Sequence, residues 1–259
     1  MKFLSNPKKL PIFSAGAGLI TLILRFILFL LGRDEKNLLI SGHPLNLLVW
    51  MVTAAVAAVV LLSLWKQDGS CRYHDNFAPS AAAAIGAFAL AGGILVSVIL
   101  GMSSGLPMTT LCCLSGALAV PAVVWTGLCR WKGQKPFFLF HAVICLYLTL
   151  YAISHYQTWS SHPQIQDWFF DLAGIICLAL FSYYQTAFLV EMGNRRLLLL
   201  TGLLGGFFCL AAVAGGADLL LYIGGGLWTL TNLCSLTPVP RRRRNPITDH
   251  AKDIPNETA

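Results

Sequence analysis

Charged residues are scarce in this chain. Asp, Glu, Lys and Arg make up 11% of the 259 residues, whereas about 25% is usual in soluble domains. Hydrophobic residues reach 56%, which is more than a soluble fold of this length can hide from water. The composition therefore excludes an ordinary soluble domain and indicates a protein whose solvent is the lipid bilayer.

The sequence also lacks common signatures of enzymes and metal sites. It has no Walker loop and no H-E-x-x-H motif. The eight cysteines form no C-x-x-C pair, and most lie in apolar runs, where cysteine behaves as a small hydrophobe. We therefore predict no catalytic residue, no metal site and no cofactor. The net charge of +7 does not indicate a nucleic-acid partner, because the basic residues sit at the ends of apolar segments.

Eight apolar runs are long enough to cross a bilayer, for which a helix needs about 20 residues. They cover residues 12–31, 45–65, 78–100, 106–129, 137–156, 168–190, 197–214 and 219–236. We predict an all-α fold, a single transmembrane helix bundle of about eight helices over residues 1–236. A disordered basic cytoplasmic tail is expected over residues 237–259.

The basic residues are unevenly distributed between the two sides of this bundle. When ends and loops are assigned to alternate sides, fifteen of the 18 Lys and Arg residues lie on one side. Only Arg33 and Lys36 lie on the other side, and Arg25 lies within the first helix. Because cytoplasmic loops are rich in Lys and Arg, we predict an even number of helices with both termini in the cytoplasm.

Polar side chains inside apolar runs are the candidate functional residues, because their burial in a membrane is costly. Several of them share helix faces, given 100° of rotation per residue, although Leu178 interrupts the polar face of the sixth helix. Arg25, His155, Asp171 and Asp218 fall in the outer half of the predicted topology. We predict a polar cavity that opens to the outer side, with the binding residues Arg25, His155, Asp171, Ser182, Gln185, Asp218, Tyr222, Thr229 and Asn232.

These residues also have structural interpretations. Hydrogen bonds between helices are common in membrane bundles, and Arg25 with Asp171 would then be a buried ion pair that holds two helices together. Asp218 alone could be a helix N-terminal residue favoured by the helix dipole. His141 and His155 are spaced about 21 Å apart on one helix, as in di-haem cytochromes b. The chain has no second histidine pair to complete such a site, so hydrogen-bonded histidines are the better interpretation.

Three segments resemble multi-pass membrane proteins of clostridia-like, Gram-positive bacteria, a group with no assigned activity. They are residues 156–170 (YQTWSSHPQIQDWFF), 42–46 (GHPLN) and 230–234 (LTNLC). The resemblance implies a location in a bacterial plasma membrane and implies no particular activity.

Three hypotheses for the function follow. The first is a small-solute transporter or channel-like protein, and it is motivated by the polar stripes. The second is a non-catalytic membrane subunit or anchor, and the third is an intramembrane enzyme that acts on a lipid-linked substrate. The expected partners are the lipid bilayer, a small polar solute, and either a second copy of the chain or a membrane partner subunit.

Overall fold

The chain is a bundle of antiparallel α-helices. The computed structural model describes residues 9–33, 39–40, 43–65, 70–102, 107–160, 165–216 and 218–237. Within these ranges it has no strand, and its helices are α1 (Lys9–Leu31), α2 (Pro44–Leu64), α3 (Tyr73–Asn76), α4 (Ala81–Gly101), α5 (Pro107–Lys132), α6 (Phe138–Trp159), α7 (Phe169–Leu189), α8 (Arg195–Ala212) and α9 (Leu219–Cys234). Short 3₁₀ turns precede α7 and follow α8. The predicted all-α fold is confirmed.

The protein is a multi-pass integral membrane protein. Seven of the described helices are long and apolar enough to cross a membrane, namely α1, α2 and α4–α8. The eighth predicted run corresponds to α9, whose 16 residues extend about 24 Å. All eight runs coincide with helices to within a few residues at each end, and only the four-residue helix α3 was not predicted. Residues 238–259, most of the predicted tail, lie outside the described ranges.

The most extensive helix contact is between α4 and α9. Glycines allow it, because a Cβ atom at Gly93 would lie 2.6 Å from the carbonyl oxygen of Leu220. A Cβ atom at Gly224 would lie 2.5 Å from the carbonyl oxygen of Ala89. The two backbones therefore touch directly, as small residues permit in membrane bundles. Around this pair, α5 packs on α4, α8 packs on α9 and α7, and α1 packs on α8.

Two buried arginines close one end of the bundle, which we call the Arg130 end. Arg130 is 6% exposed and donates to Asn232 Oδ1 (3.3 Å), Ala78 O (2.9 Å) and Ser235 Oγ (2.6 Å). Arg195 is 3% exposed and donates to Asn76 Oδ1 (2.8 Å) and Thr237 O (2.6 Å). The topology prediction counted both as loop charges, but their guanidinium groups tie α5, α8, α9 and the α3 segment together.

Adjacent glycines on α4 provide a test of the helix contact. Gly93→Ala should lower the free energy of unfolding by about 1–3 kcal/mol, the usual cost of overpacking, because the new methyl group meets the backbone of α9. Gly92→Ala is the matched control, since a Cβ atom there has nothing within 4 Å. Thermal unfolding of the two variants in the same detergent measures the difference. Equal melting temperatures would contradict the close packing of α4 on α9.

Cys71 provides a test of the predicted orientation. It is exposed and lies at the Arg130 end, five residues before the Arg195 partner Asn76. If both termini are cytoplasmic, a membrane-impermeant maleimide should label Cys71 in inverted vesicles and not in spheroplasts. Cys234 is also exposed, so the test uses a Cys234→Ser background, in which Cys71→Ser should abolish the labelling. Labelling of Cys71 in spheroplasts would reverse the predicted topology.

Candidate functional site

A cavity of about 390 Å³ lies at the end of the bundle opposite to Arg130, between α4, α5, α6 and the residue that precedes α9. We call it the Asp218 cavity. Leu100 at its rim is 65% exposed, whereas Cys112 and Tyr147 are buried at its base. The polar and aromatic side chains that line it are Ser97, Thr109, Cys112, Cys113, Tyr147, Tyr151, Ser154, His155, Thr158, Trp159 and Asp218.

The Asp218 carboxylate is the centre of a hydrogen-bond network in this cavity. Ser97 Oγ donates to its Oδ1 at 3.1 Å, the Tyr151 hydroxyl donates to its Oδ2, and His155 Nε2 lies 3.2 Å from the same oxygen. Burial alone would raise the pKa of Asp218, but the hydrogen bonds from His155 and Tyr151 outweigh this effect and hold the pKa below its usual range. The carboxylate is therefore ionised at neutral pH.

The backbone of Asp218 is strained so that this network can form. Its φ of 45° is left-handed, a conformation that costs a non-glycine residue about 1–2 kcal/mol. Asp218 is the residue before α9, yet its side chain makes no capping hydrogen bond to that helix. The carboxylate instead faces α4 and α6, so the network and not helix capping accounts for its position.

Aromatic rings hold His155 in place. Its ring stacks on Tyr151 with 4.0 Å between centroids and meets the edge of Trp159 at 5.1 Å. Trp159 in turn stacks on Trp168 at 4.9 Å. His155 Nδ1 lies 3.1 Å from the carbonyl oxygen of Tyr151. Both ring nitrogens therefore face oxygen atoms, and the orientation of the imidazole is determined from two sides.

Arg25 and Asp171 form a separate, buried group beside the cavity. Asp171 is 0% exposed and its Oδ2 lies 3.9 Å from Arg25 Nη2. Arg25 donates to the carbonyl oxygens of Ala211 (2.6 Å) and Asp167 (3.0 Å). Tyr222 is also 0% exposed and is close enough to interact electrostatically with Arg25, Asp171 and Asp218. Tyr222 is therefore close to both the buried ion pair and Asp218.

The other predicted residues lie nearer to the Arg130 end. Ser182 donates to the carbonyl oxygen of His141 at 2.9 Å, and Asn232 accepts from Arg130. Gln185 and Asn232 line a narrow polar gap around Arg130. Thr229 hydrogen-bonds to carbonyl oxygens of its own helix.

An apolar layer separates these residues from the Asp218 cavity. Leu178, which interrupts the polar face of α7, packs directly on α9, because a Cβ atom at Gly225 would lie 2.6 Å from its side chain. Phe181 and Trp228 meet edge to face at 5.1 Å in the same layer. Of the nine predicted binding residues, His155 and Asp218 line the cavity, Arg25, Asp171 and Tyr222 lie beside it, and Ser182, Gln185, Thr229 and Asn232 lie beyond it.

The site predicted from the sequence did not include Ser97, Thr109, Cys112 or Cys113. Ser97 could have been identified from the sequence, because it is the one hydroxyl side chain within α4. The two cysteines had none, since cysteine is common in apolar helices.

No group of His, Cys, Asp and Glu in the described residues could hold a metal ion. Comparisons with protein-family models, with curated proteins and with solved structures found no match to this chain. The geometry of the Asp218 cavity is therefore the observation from which a function can be argued.

A substitution of Asp218 tests whether its carboxylate stabilises the fold through the hydrogen-bond network or by capping α9. Asp218→Ser should lower the free energy of unfolding by about 1–3 kcal/mol, the range for losing hydrogen bonds to a charged group, although serine is a good capping residue. Glu191→Gln is the control, because that carboxylate is 63% exposed and lies 4.0 Å from Lys135. Thermal unfolding of both variants makes the comparison. An unchanged stability of Asp218→Ser would indicate a capping role.

Proposed function

We propose that this protein binds a small polar solute in the Asp218 cavity and carries it across the membrane, as a transporter or a channel-like protein. The observation that supports this proposal is a cavity of about 390 Å³ with a partly exposed carboxylate inside a membrane bundle. Small-molecule sites usually have volumes of about 300–1,000 Å³ and a few convergent polar groups on an apolar wall. Polar groups at membrane depth commonly mark solute pathways.

The lining favours neutral or cationic solutes. Its described residues include one carboxylate, Asp218, and neither Lys nor Arg. Hydroxyl groups of Ser97, Thr109 and Ser154 offer hydrogen bonds, and the rings of Tyr147 and Tyr151 offer faces to a cation. An anion would meet the Asp218 carboxylate, and the described lining has no Lys or Arg to offset that repulsion, so the charge distribution discriminates against anionic solutes.

The two ends of the bundle differ in a way that fits alternating access. The Asp218 cavity lies at one end, whereas the Arg130 hydrogen bonds and the layer of Leu178, Phe181 and Trp228 fill the other half. Transporters expose a site to one side at a time. With the predicted orientation, this structure corresponds to the state that is open to the outside.

Catalysis on a lipid-linked substrate is the second candidate function. The observation that favours it is the pair formed by His155 and Asp218 at 3.2 Å, since such pairs serve in general acid–base chemistry. In that case Asp218→Asn would abolish turnover of a lipid substrate and leave its binding largely intact. The hypothesis of a non-catalytic membrane subunit or anchor stays a prediction.

A binding screen tests the transport proposal. The purified protein in nanodiscs is exposed to small amines, polyols, zwitterionic amino acids and carboxylates, and its melting temperature is recorded. A ligand at 100 times its dissociation constant stabilises the folded state by about 2.7 kcal/mol, so true ligands are detectable. We expect stabilisation by amines or polyols and none by simple carboxylates.

Two variants assign that binding to the cavity. Asp218→Asn should weaken the affinity for any hit at least about tenfold, equivalent to about 1.4 kcal/mol. Thr53→Val is the control, because Thr53 lies on α2 and hydrogen-bonds to the carbonyl oxygen of Val49 in its own helix. Equal affinities in Asp218→Asn and in the unmodified protein, or stabilisation by carboxylates alone, would contradict the proposal.

A further inference from the structure

The buried carboxyl group of Asp171 has unusual surroundings. Its side chain is fully buried in the first turn of α7, and neither of its oxygens accepts a hydrogen bond from the side chain of any other described residue. A buried carboxylate normally accepts two or more hydrogen bonds, because desolvation of an unpaired charge is costly. Asp218, a short distance away, has three donors. The two carboxyl groups therefore differ sharply in how their charge is stabilised.

Arg25 is a weak partner for Asp171. The 3.9 Å between Nη2 and Oδ2 exceeds the roughly 2.7–2.9 Å of a charge-assisted hydrogen bond. The guanidinium group directs its short hydrogen bonds to the carbonyl oxygens of Ala211 and Asp167 instead, and it lies over the Phe170 ring at 4.4 Å. Arg25 is thus held in place by interactions that do not require a charge on Asp171.

Tyr222 lies close to both Asp171 and Asp218. The Tyr222 hydroxyl is buried and has no hydrogen-bond partner among the described residues, and the ring interacts electrostatically with both carboxyl groups. Gly215 lies against the other side, where a Cβ atom would be 3.4 Å from Asp171 Oδ1. The ionisable groups that act on Asp171 come from four neighbouring helices and their ends: Arg25, His155, Cys209, Asp218 and Tyr222.

We propose that Asp171 is a proton-binding site, linked through Tyr222 to the Asp218 cavity, and that it couples the occupancy of that cavity to protons. This inference rests on the proposed solute-binding function. The carboxylate gains one proton that enters from the cavity and becomes a neutral carboxyl group. The O–H bond of this carboxyl group is the one bond that forms, and it breaks again when the proton leaves and the carboxylate is restored.

A metal cation is a poor alternative occupant. The Arg25 guanidinium group lies within 4 Å of Asp171, so a second cation at the carboxylate would be repelled. A proton adds no volume and removes the charge that lacks donors. The geometry therefore fits a proton better than Na⁺, and adding NaCl should not reproduce the effect of lowering the pH.

Infrared difference spectroscopy tests the proposal without any solute. The full-length protein in nanodiscs is titrated from about pH 8 to about pH 4, the range in which carboxyl and imidazole groups protonate. A neutral carboxyl group gives its own C=O stretching band. We expect one such band, from a carboxyl group shielded from solvent, to be missing in Asp171→Asn and to be retained in Asp218→Asn. If Asp171→Asn keeps every band of the unmodified protein, the proposal is wrong.

A second variant keeps the proposal testable if Asp171→Asn does not fold. Tyr222→Phe keeps Asp171 and removes a nearby buried hydroxyl, so the Asp171 band should remain but change in frequency as the polarity around the carboxyl group falls. A permanently ionised Asp171 that only holds α1 to α7 would give no band in either Tyr222→Phe or the unmodified protein, and that result also overturns the proposal. Because these spectra need no solute, their failure is distinguishable from failure of the binding screen.

Discussion

The direct backbone contact between α4 and α9 is the constraint on which the site depends. Gly93 and Gly224 leave no room for a side chain between the two helices, and this close approach places Ser97 of α4 3.1 Å from the carboxylate that precedes α9. On the other side, α6 reaches the same carboxylate only through the long side chains of Tyr151 and His155. The Asp218 cavity occupies the space that this wider spacing leaves, so the tight contact on one side and the loose one on the other together define the site.

The same physical rule acts differently at the two ends of the bundle. A polar group in a membrane has to find its partner within the protein. At the Arg130 end, arginine charges are met by amide, hydroxyl and carbonyl oxygens of α9 and the α3 segment, which leaves little space. At the other end, two carboxyl groups and Arg25 lie beside a cavity. A movement that opened the Arg130 end would break several charge-assisted hydrogen bonds at once, so this end behaves as a closed unit until something offsets that cost.

The sequence predicted the features that depend only on position along the chain, such as where the helices begin and end. Apolar length gives the helices to within about three residues at each end, because about 20 apolar residues have few structures available in lipid. Depth along the helices was enough to choose Asp171 as the partner of Arg25, and the two lie 3.9 Å apart. Charge counting could not tell that Arg130 is buried, since a helix-end arginine counts the same whether it faces water or protein. Periodicity shows which residues share a face of a helix, but not which other helix that face contacts. The residues predicted to line one cavity therefore lie in three places in the structure: the Asp218 cavity, the buried pair of Arg25 and Asp171, and the polar gap around Arg130.

Asp171 and Asp218 lie near each other in contrasting environments. Neighbouring carboxyl groups in different environments take different roles, because each environment favours a different protonation state. Three donors keep Asp218 ionised, and its strained backbone shows that the fold gives up energy to keep it there. Among the described residues no side chain donates a hydrogen bond to Asp171, and the arginine beside it is anchored by backbone carbonyl groups. A proton can therefore be gained or lost at Asp171 without releasing Arg25, so the α1–α8 contact would survive a change of charge that the neighbouring cavity can sense.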